Sequence, residues 1–384
     1  MSKVFAFLLA VLILAPELIF SQGFGSDGLL HVRSAATLKP RRLEFRTNLR
    51  FYTKVGDFLG QTRPENFRVV NFWDVQSNAQ LSYGIADHFD ASFSARVYQD
   101  VHSRKEANTP DDMFLDLRIG SFGAANNKLK LGALFGLRFP TGEVHNYPFE
   151  EYSAGALEYG IHALVSYFND PFLPHRDFSF HFNVGWYSHN DAGKTLFVEH
   201  INDSTVIEHT AGNNATAIRY GMGFIYPTEL FNLNLELWGT AFTAQPDSFA
   251  RSRENFTYLT GSILYKPKWW LHLNLGLDLR VSNDKDETVR RATIAGGALD
   301  LPNYPSWKLT LGANFVLSSG TDRIRGGVGG QSDIKKRVDF YERLLQEREK
   351  TRSIEEELRR LKREREQAEK ELEELRQLLE EEGK

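Results

Sequence analysis

From Arg41 to Ser318 the chain alternates apolar and polar residues with a period of two, the mark of strands whose two faces meet different surroundings. Leu43, Phe45, Thr47, Leu49 and Phe51 share one face, and Arg42, Glu44, Arg46, Asn48 and Arg50 share the other. The code returns in Leu271, Leu273, Leu275, Leu277, Leu279 and Val281 against His272, Asn274, Gly276, Asp278 and Arg280. Twelve such segments are expected, near 41–53, 67–83, 89–101, 112–122, 128–139, 155–168, 177–188, 215–226, 231–243, 255–266, 270–282 and 307–318. They exceed the ~5–6 residues usual for soluble strands and suit the ~9–11 tilted residues that cross a bilayer. Breaks after even-numbered segments are short, such as 84–88 and 267–269, while those after odd-numbered ones are mostly long, such as 189–214 and 283–306. Short turns on one rim and long loops on the other mark an outer-membrane barrel. Closure also leaves no unpaired strand edge facing lipid. The pattern predicts an all-β transmembrane antiparallel up-and-down barrel of about 12 strands.

Composition sharpens this picture. The chain has 29 Phe, 14 Tyr and 6 Trp, and rings such as Trp73, Tyr83, Tyr226, Trp269, Trp270 and Trp307 fall near segment ends, where a bilayer interface favours them. If the apolar face meets lipid, the alternate positions line a lumen. The expected lining, and the candidate selectivity set, is Arg42, Arg46, Arg50, Arg96, Arg118, Arg138, Arg219 and Arg280, with Glu44, Asp74, Asp116, Glu158, Glu236 and Asp278. Such a lining admits two readings: a water-filled, slightly cationic channel, or arginine–carboxylate pairs that cross the interior and close it. Overall, 46 basic against 50 acidic residues leave a net charge of −4, which offers no argument for nucleic acid.

The first residues run Met-Ser-Lys, then Val4 to Leu14 without a polar side chain, then Pro16 and the small Ser21, the layout of a signal peptide over 1–21. A periplasmic segment over 22–40 would lead into the barrel at 41–318.

Two local elements carry a resemblance. Tyr83-Gly84-Ile85-Ala86-Asp87-His88-Phe89 is similar to the "YG-turn-D" that joins strands in many bacterial outer-membrane barrels, and Gly136-Leu137-Arg138-Phe139-Pro140-Thr141-Gly142-Glu143 resembles a strand-ending "PTG-acid" element. Together they resemble the transporter- and porin-like barrel group that includes outer-membrane proteins of the phenol-degradation meta-pathway. The resemblance implies a barrel, with transport as the group's presumed activity.

The C-terminal stretch differs from the rest. A Gly-rich linker over 319–333 precedes residues 334–384, which hold 15 Lys/Arg and 16 Asp/Glu. Ile354, Leu358, Leu361, Ala368, Leu372, Leu375 and Leu379 follow the 3-4 spacing of a seam. A long α-helical coiled coil in the periplasm is therefore expected, with a homo-oligomer or a periplasmic protein as its partner.

Chemistry is sparse. Cysteine is absent, which removes disulfides, thiolate metal sites and cysteine catalysis. His162, His181 and His272 are expected in the lumen without metal-ligand spacing. No Ser/His pair with an orienting residue faces lipid, so no enzyme, metal or cofactor is expected. The sequence reads as a barrel in the bacterial outer membrane, surrounded by its lipid and without nucleic acid. It would let small polar or anionic solutes diffuse passively and carry a helical stalk. The alternative is a non-conducting structural anchor that presents the coiled coil.

Overall fold

The computed structural model describes residues 25–26, 28–55, 71–101, 111–143, 145–147, 149–202, 205–283, 285, 287–289, 303–319 and 360–366. The elements, in chain order, are β1 (Arg42–Val55), β2 (Asn71–Ala86), β3 (Phe89–Val101), β4 (Met113–Ala124), β5 (Leu129–Phe139), β6 (Glu158–Phe168) and β7 (Ser179–Ser188). They continue with β8 (Thr195–Asn202), β9 (Thr205–Thr210), β10 (Thr216–Pro227), β11 (Phe231–Ala244), β12 (Phe256–Lys268), β13 (Leu271–Arg280) and β14 (Trp307–Ser319).

Each barrel strand pairs antiparallel with its neighbours, and β14 closes on β1 from Arg42↔Ser319 to Phe51↔Leu309. Twelve strands form the wall. β8 and β9 form a separate hairpin, so β7 pairs directly with β10 through Thr216↔Ser188. That hairpin occupies the break at 189–214, where the sequence pattern predicts only a long loop. The YG-turn-D element makes the β2–β3 turn at 87–88, and PTG follows the end of β5.

The two faces of the wall differ as the alternation requires. Glu44, Asn48 and Tyr52 are buried on the inside of β1, whereas Leu49 and Phe51 are exposed outside. Leu273, Leu275, Leu277 and Leu279 are exposed on β13, and Phe180, Phe182, Val184 and Trp186 on β7. This apolar exterior runs around the wall, far larger than the few hundred Å² a soluble monomer tolerates. Tyr83, Tyr226, Trp269 and Trp270 are exposed near the short-turn rim, where an interfacial ring belongs. At the opposite rim the loops build a small core of Tyr152, Ala154, Leu196, Ala211, Ala215 and Ala250.

The expectation of a long coiled-coil tail is corrected. The chain is a closed twelve-stranded barrel, nearly all β, and the only helix among the described residues is the short one at 360–366. It lies in a separate unit, Arg325–Lys384. Leu361, the one seam residue described, is 63% exposed on the single chain. An Arg360–Glu364 pair at 2.9 Å, one turn apart, supports the helix from its solvated surface. Ile354, Leu358, Ala368, Leu372, Leu375 and Leu379 lie outside the described residues, as do the segment read as a signal peptide and most of the linker.

Candidate functional site: the barrel lumen

The lumen begins with a segment that precedes the first strand. Residues 25–26 and 28–38, expected as a periplasmic lead-in, run inside the barrel. Leu29, Leu30, Val32 and Ala35 are buried there. A chain inside a polar barrel has no ladder partner and little water, so each backbone donor needs a side-chain acceptor. Glu236 on β11 accepts from the backbone N–H groups of Leu30, His31 and Val32 at 2.7, 2.8 and 2.8 Å. Asn183 on β7 accepts from Arg33 N–H at 2.6 Å and donates to its carbonyl at 2.8 Å. Ser166 on β6 accepts from Ala35, Ser121 on β4 from Thr37, and Asp90 on β3 from Leu38.

Side chains complete the plug. Arg33 pairs with Asp116 at 2.5 Å, and His31 meets Asp278 at 3.0 Å while stacking on Trp238 with centroids 3.9 Å apart. Glycines leave the room: a Cβ at Gly276 would stand 2.3 Å from Leu30 Cδ1, and one at Gly120 would stand 2.2 Å from the Ala35 carbonyl. A glycine at an inward position of a strand, opposite no ring, is the signal by which sequence reading could have anticipated an internal segment.

The predicted lining residues are found inside, most of them already engaged. Arg42 and Arg46 share Glu44 at 2.7 and 3.1 Å, and Arg46 also reaches the Gly25 carbonyl. Arg118 holds Asp90 at 2.6 Å. Arg138 sits between Asp112 at 2.5 Å and Glu158 at 3.5 Å, and Glu158 accepts from the Tyr187 hydroxyl. Asp278 also accepts from Thr260, Gln76 lies beside Asp74, and Arg280 donates to the Tyr304 carbonyl. These wall pairs join residues of the same strand or of neighbouring strands, as Arg118 with Asp90 and Arg138 with Glu158, and so run along the wall. The lining expected from the alternation leaves out Asp90, Asp111, Asp112 and Glu150, which come from turns, loops or strand ends.

The β5–β6 loop folds over the opposite mouth. Phe149 is fully buried against Tyr52, with ring centroids 5.6 Å apart. Glu150 meets Arg96 at 3.2 Å and Glu151 meets Arg219 at 3.3 Å, tying the loop to β3 and β10. Tyr152 donates to Asp191, and burial together with that carboxylate pushes its phenol up, so it stays a donor.

Between the plug and this loop lies a cavity of about 120 Å³. One water needs only ~10–15 Å³, so the space has room for several waters. Its floor is His31, Val32 and Arg33, and its wall includes Arg50, Arg96, Arg219 and Trp238. His162 lines it too, whereas His181 is fixed between Ser166 at 2.8 Å and Ser179 at 3.0 Å, a buried polar tie in the wall. No cluster of potential metal ligands occurs among the described residues.

No protein-family model and no curated protein matches the chain. Among solved structures it is similar to an outer membrane channel from Pseudomonas putida F1, with 12% identity, 74% of this chain and 98% of that one covered, and a TM-score of 0.44. It is also similar to the NanC porin, with 11% identity over 72% of this chain and 100% of that one and a TM-score of 0.43. A FadL homologue from Pseudomonas aeruginosa has 10% identity over 79% of this chain and 100% of its own, with a TM-score of 0.36.

Proposed function

We propose that this protein is an outer-membrane β-barrel channel that lets small polar or anionic solutes diffuse passively, with its own N-terminal segment as the barrier in the lumen. The observation that carries this reading is the inversion of polarity across the wall: leucines and aromatics outside, arginines, carboxylates and a polar-lined cavity inside. A charge on the lipid face would cost about 2–4 kcal/mol near the midplane, so strands built this way belong in a bilayer. Twelve strands stand between the eight-stranded barrels filled by side chains and the sixteen-stranded open porins. That size leaves room for a narrow path but not for a wide pore. The wall of the cavity offers Arg50, Arg96 and Arg219 against Glu151 alone, which supports a preference for anions.

The segment at 25–38 favours a second reading, a barrel that never conducts and serves as a structural membrane element. Planar-bilayer conductance of the full chain separates the two. Discrete steps with a reversal potential favouring chloride, larger when the plug is loosened, are the expected result. Insertion with no step in either form would overturn the channel.

A further inference from the structure

We infer that the cavity above the plug is a binding site for a small monocarboxylate, with Arg50 as its principal anchor. The inference rests on the reading of the lumen as a solute pathway and names the solute class that the site would hold.

Three observations converge on it. First, the guanidinium groups that line the cavity are not equally engaged. Arg33 is held by Asp116, Arg96 by Glu150 and Asp111, and Arg219 by Glu151. Arg50 makes neither a hydrogen bond nor an ion pair among the described residues, and Asp74 and Asp278 act on it only at longer range. Second, the Nε–H groups of Arg50, Arg96 and Arg219 are all buried without an acceptor among the described residues, and all three residues line this one cavity. Buried donors of charged groups are costly to leave unmet, and a carboxylate is the acceptor a guanidinium fits best. Third, the carboxylates that pair with these arginines, other than Glu151, do not line the cavity. They hold the guanidinium groups in place without occupying the space in front of them.

The remaining lining sets the rest of the solute. Phe114, Leu134, Val32 and Trp238 add apolar surface to the lining, suited to a short hydrocarbon part. Arg219 is itself oriented by stacking 3.6 Å over the Tyr187 ring, so its position does not depend on a ligand. Arg50 is the one lining guanidinium without a fixed partner among the described residues, and one guanidinium fork takes one carboxylate. The second carboxylate of a dianion would meet only guanidinium groups that already hold carboxylates.

The test uses the full chain in detergent micelles with acetate as probe and acetamide as its neutral isostere, followed by saturation-transfer NMR. Acetate is expected to saturate one site, acetamide is not, and succinate competes more weakly than acetate. Arg50→Gln is expected to weaken acetate at least tenfold, Arg50→Lys less, and Lys194→Gln, an exposed loop charge, not at all. Folding of each variant is checked by heat-dependent mobility in gels. Equal signals for acetate and acetamide, or an unchanged acetate affinity in Arg50→Gln, would overturn the site. The acetate–acetamide comparison needs only the natural protein, so a variant that fails to fold does not remove the test. Binding requires no conduction: acetate bound without bilayer steps would leave this site standing and sink the channel, and steps without acetate binding would do the reverse.

Discussion

Replacing Glu236 by alanine should undock the N-terminal segment while leaving the barrel intact. The carboxylate is fully buried and accepts three consecutive backbone donors, from Leu30, His31 and Val32, at 2.7–2.8 Å. A buried donor without a partner costs about 1–3 kcal/mol, so the docked state loses roughly 3–9 kcal/mol. Water entering the space left by the side chain draws the figure towards the lower end. Even about 3 kcal/mol is more than a hundredfold in the ratio of docked to free segment, at tenfold per 1.4 kcal/mol. Burial of Leu29, Leu30 and Val32 opposes release, at about 1.5–3 kcal/mol for each side chain. The bonds at Asn183, Ser166 and Asp90 oppose it too. The segment should therefore open often rather than leave for good. Trypsin reports the opening, since Arg33 is shielded by its pair with Asp116 and becomes cleavable only when free. Where reclosing is fast, the cleavage rate follows the open population. A rise of about a hundredfold in cleavage after Arg33 is expected by the arithmetic above, with larger conductance steps in bilayers. Unchanged cleavage at Arg33 in a folded Glu236→Ala barrel would refute the view that this carboxylate holds the plug.

Three further outcomes are expected. Gly120→Ala should loosen the same segment by sterics alone, because the new Cβ would meet the Ala35 carbonyl at 2.2 Å; faster trypsin cleavage after Arg33 checks it. Leu275→Arg, on the outer face near the middle of β13, should lower unfolding free energy in vesicles by about 2–4 kcal/mol, as urea titration would read. Burial alone would raise the Asp112 carboxyl, but Arg138 and His145 override it and hold it well below the ordinary carboxylate range. A depressed carboxylate stabilises fully above its unfolded pKa of about 4 and loses that contribution as pH falls below it, so the thermal midpoint should drop in acid. Asp112→Asn should flatten that fall, and an unchanged acid profile would contradict it.

The sequence by itself determined the wall of this barrel, because a strand between lipid and a wet interior writes both environments into neighbouring residues. Arg42 to Phe51 and Leu271 to Arg280 carry the alternation within a single strand, so strand number, strand ends, the two unlike rims and the inward set of Arg46, Glu44 or Asp278 were all legible from local pattern. The contents of the lumen were decided only by closure. Leu30 meets its acceptor 206 residues away in Glu236, and Arg33 meets Asp116 across 83 residues, separations that no period records. Residues 25–38 have neither strand alternation nor helical spacing, since their partners are side chains drawn from the inner faces of several strands rather than a neighbouring backbone. That Arg50 has no fixed partner among the described residues follows from the same cause: sequence places many arginines inside, and the geometry of the closed barrel settles which carboxylate each one reaches. The C-terminal leucines show the converse, for a heptad seam acquires its meaning only from a partner that buries it, and Leu361 stands exposed.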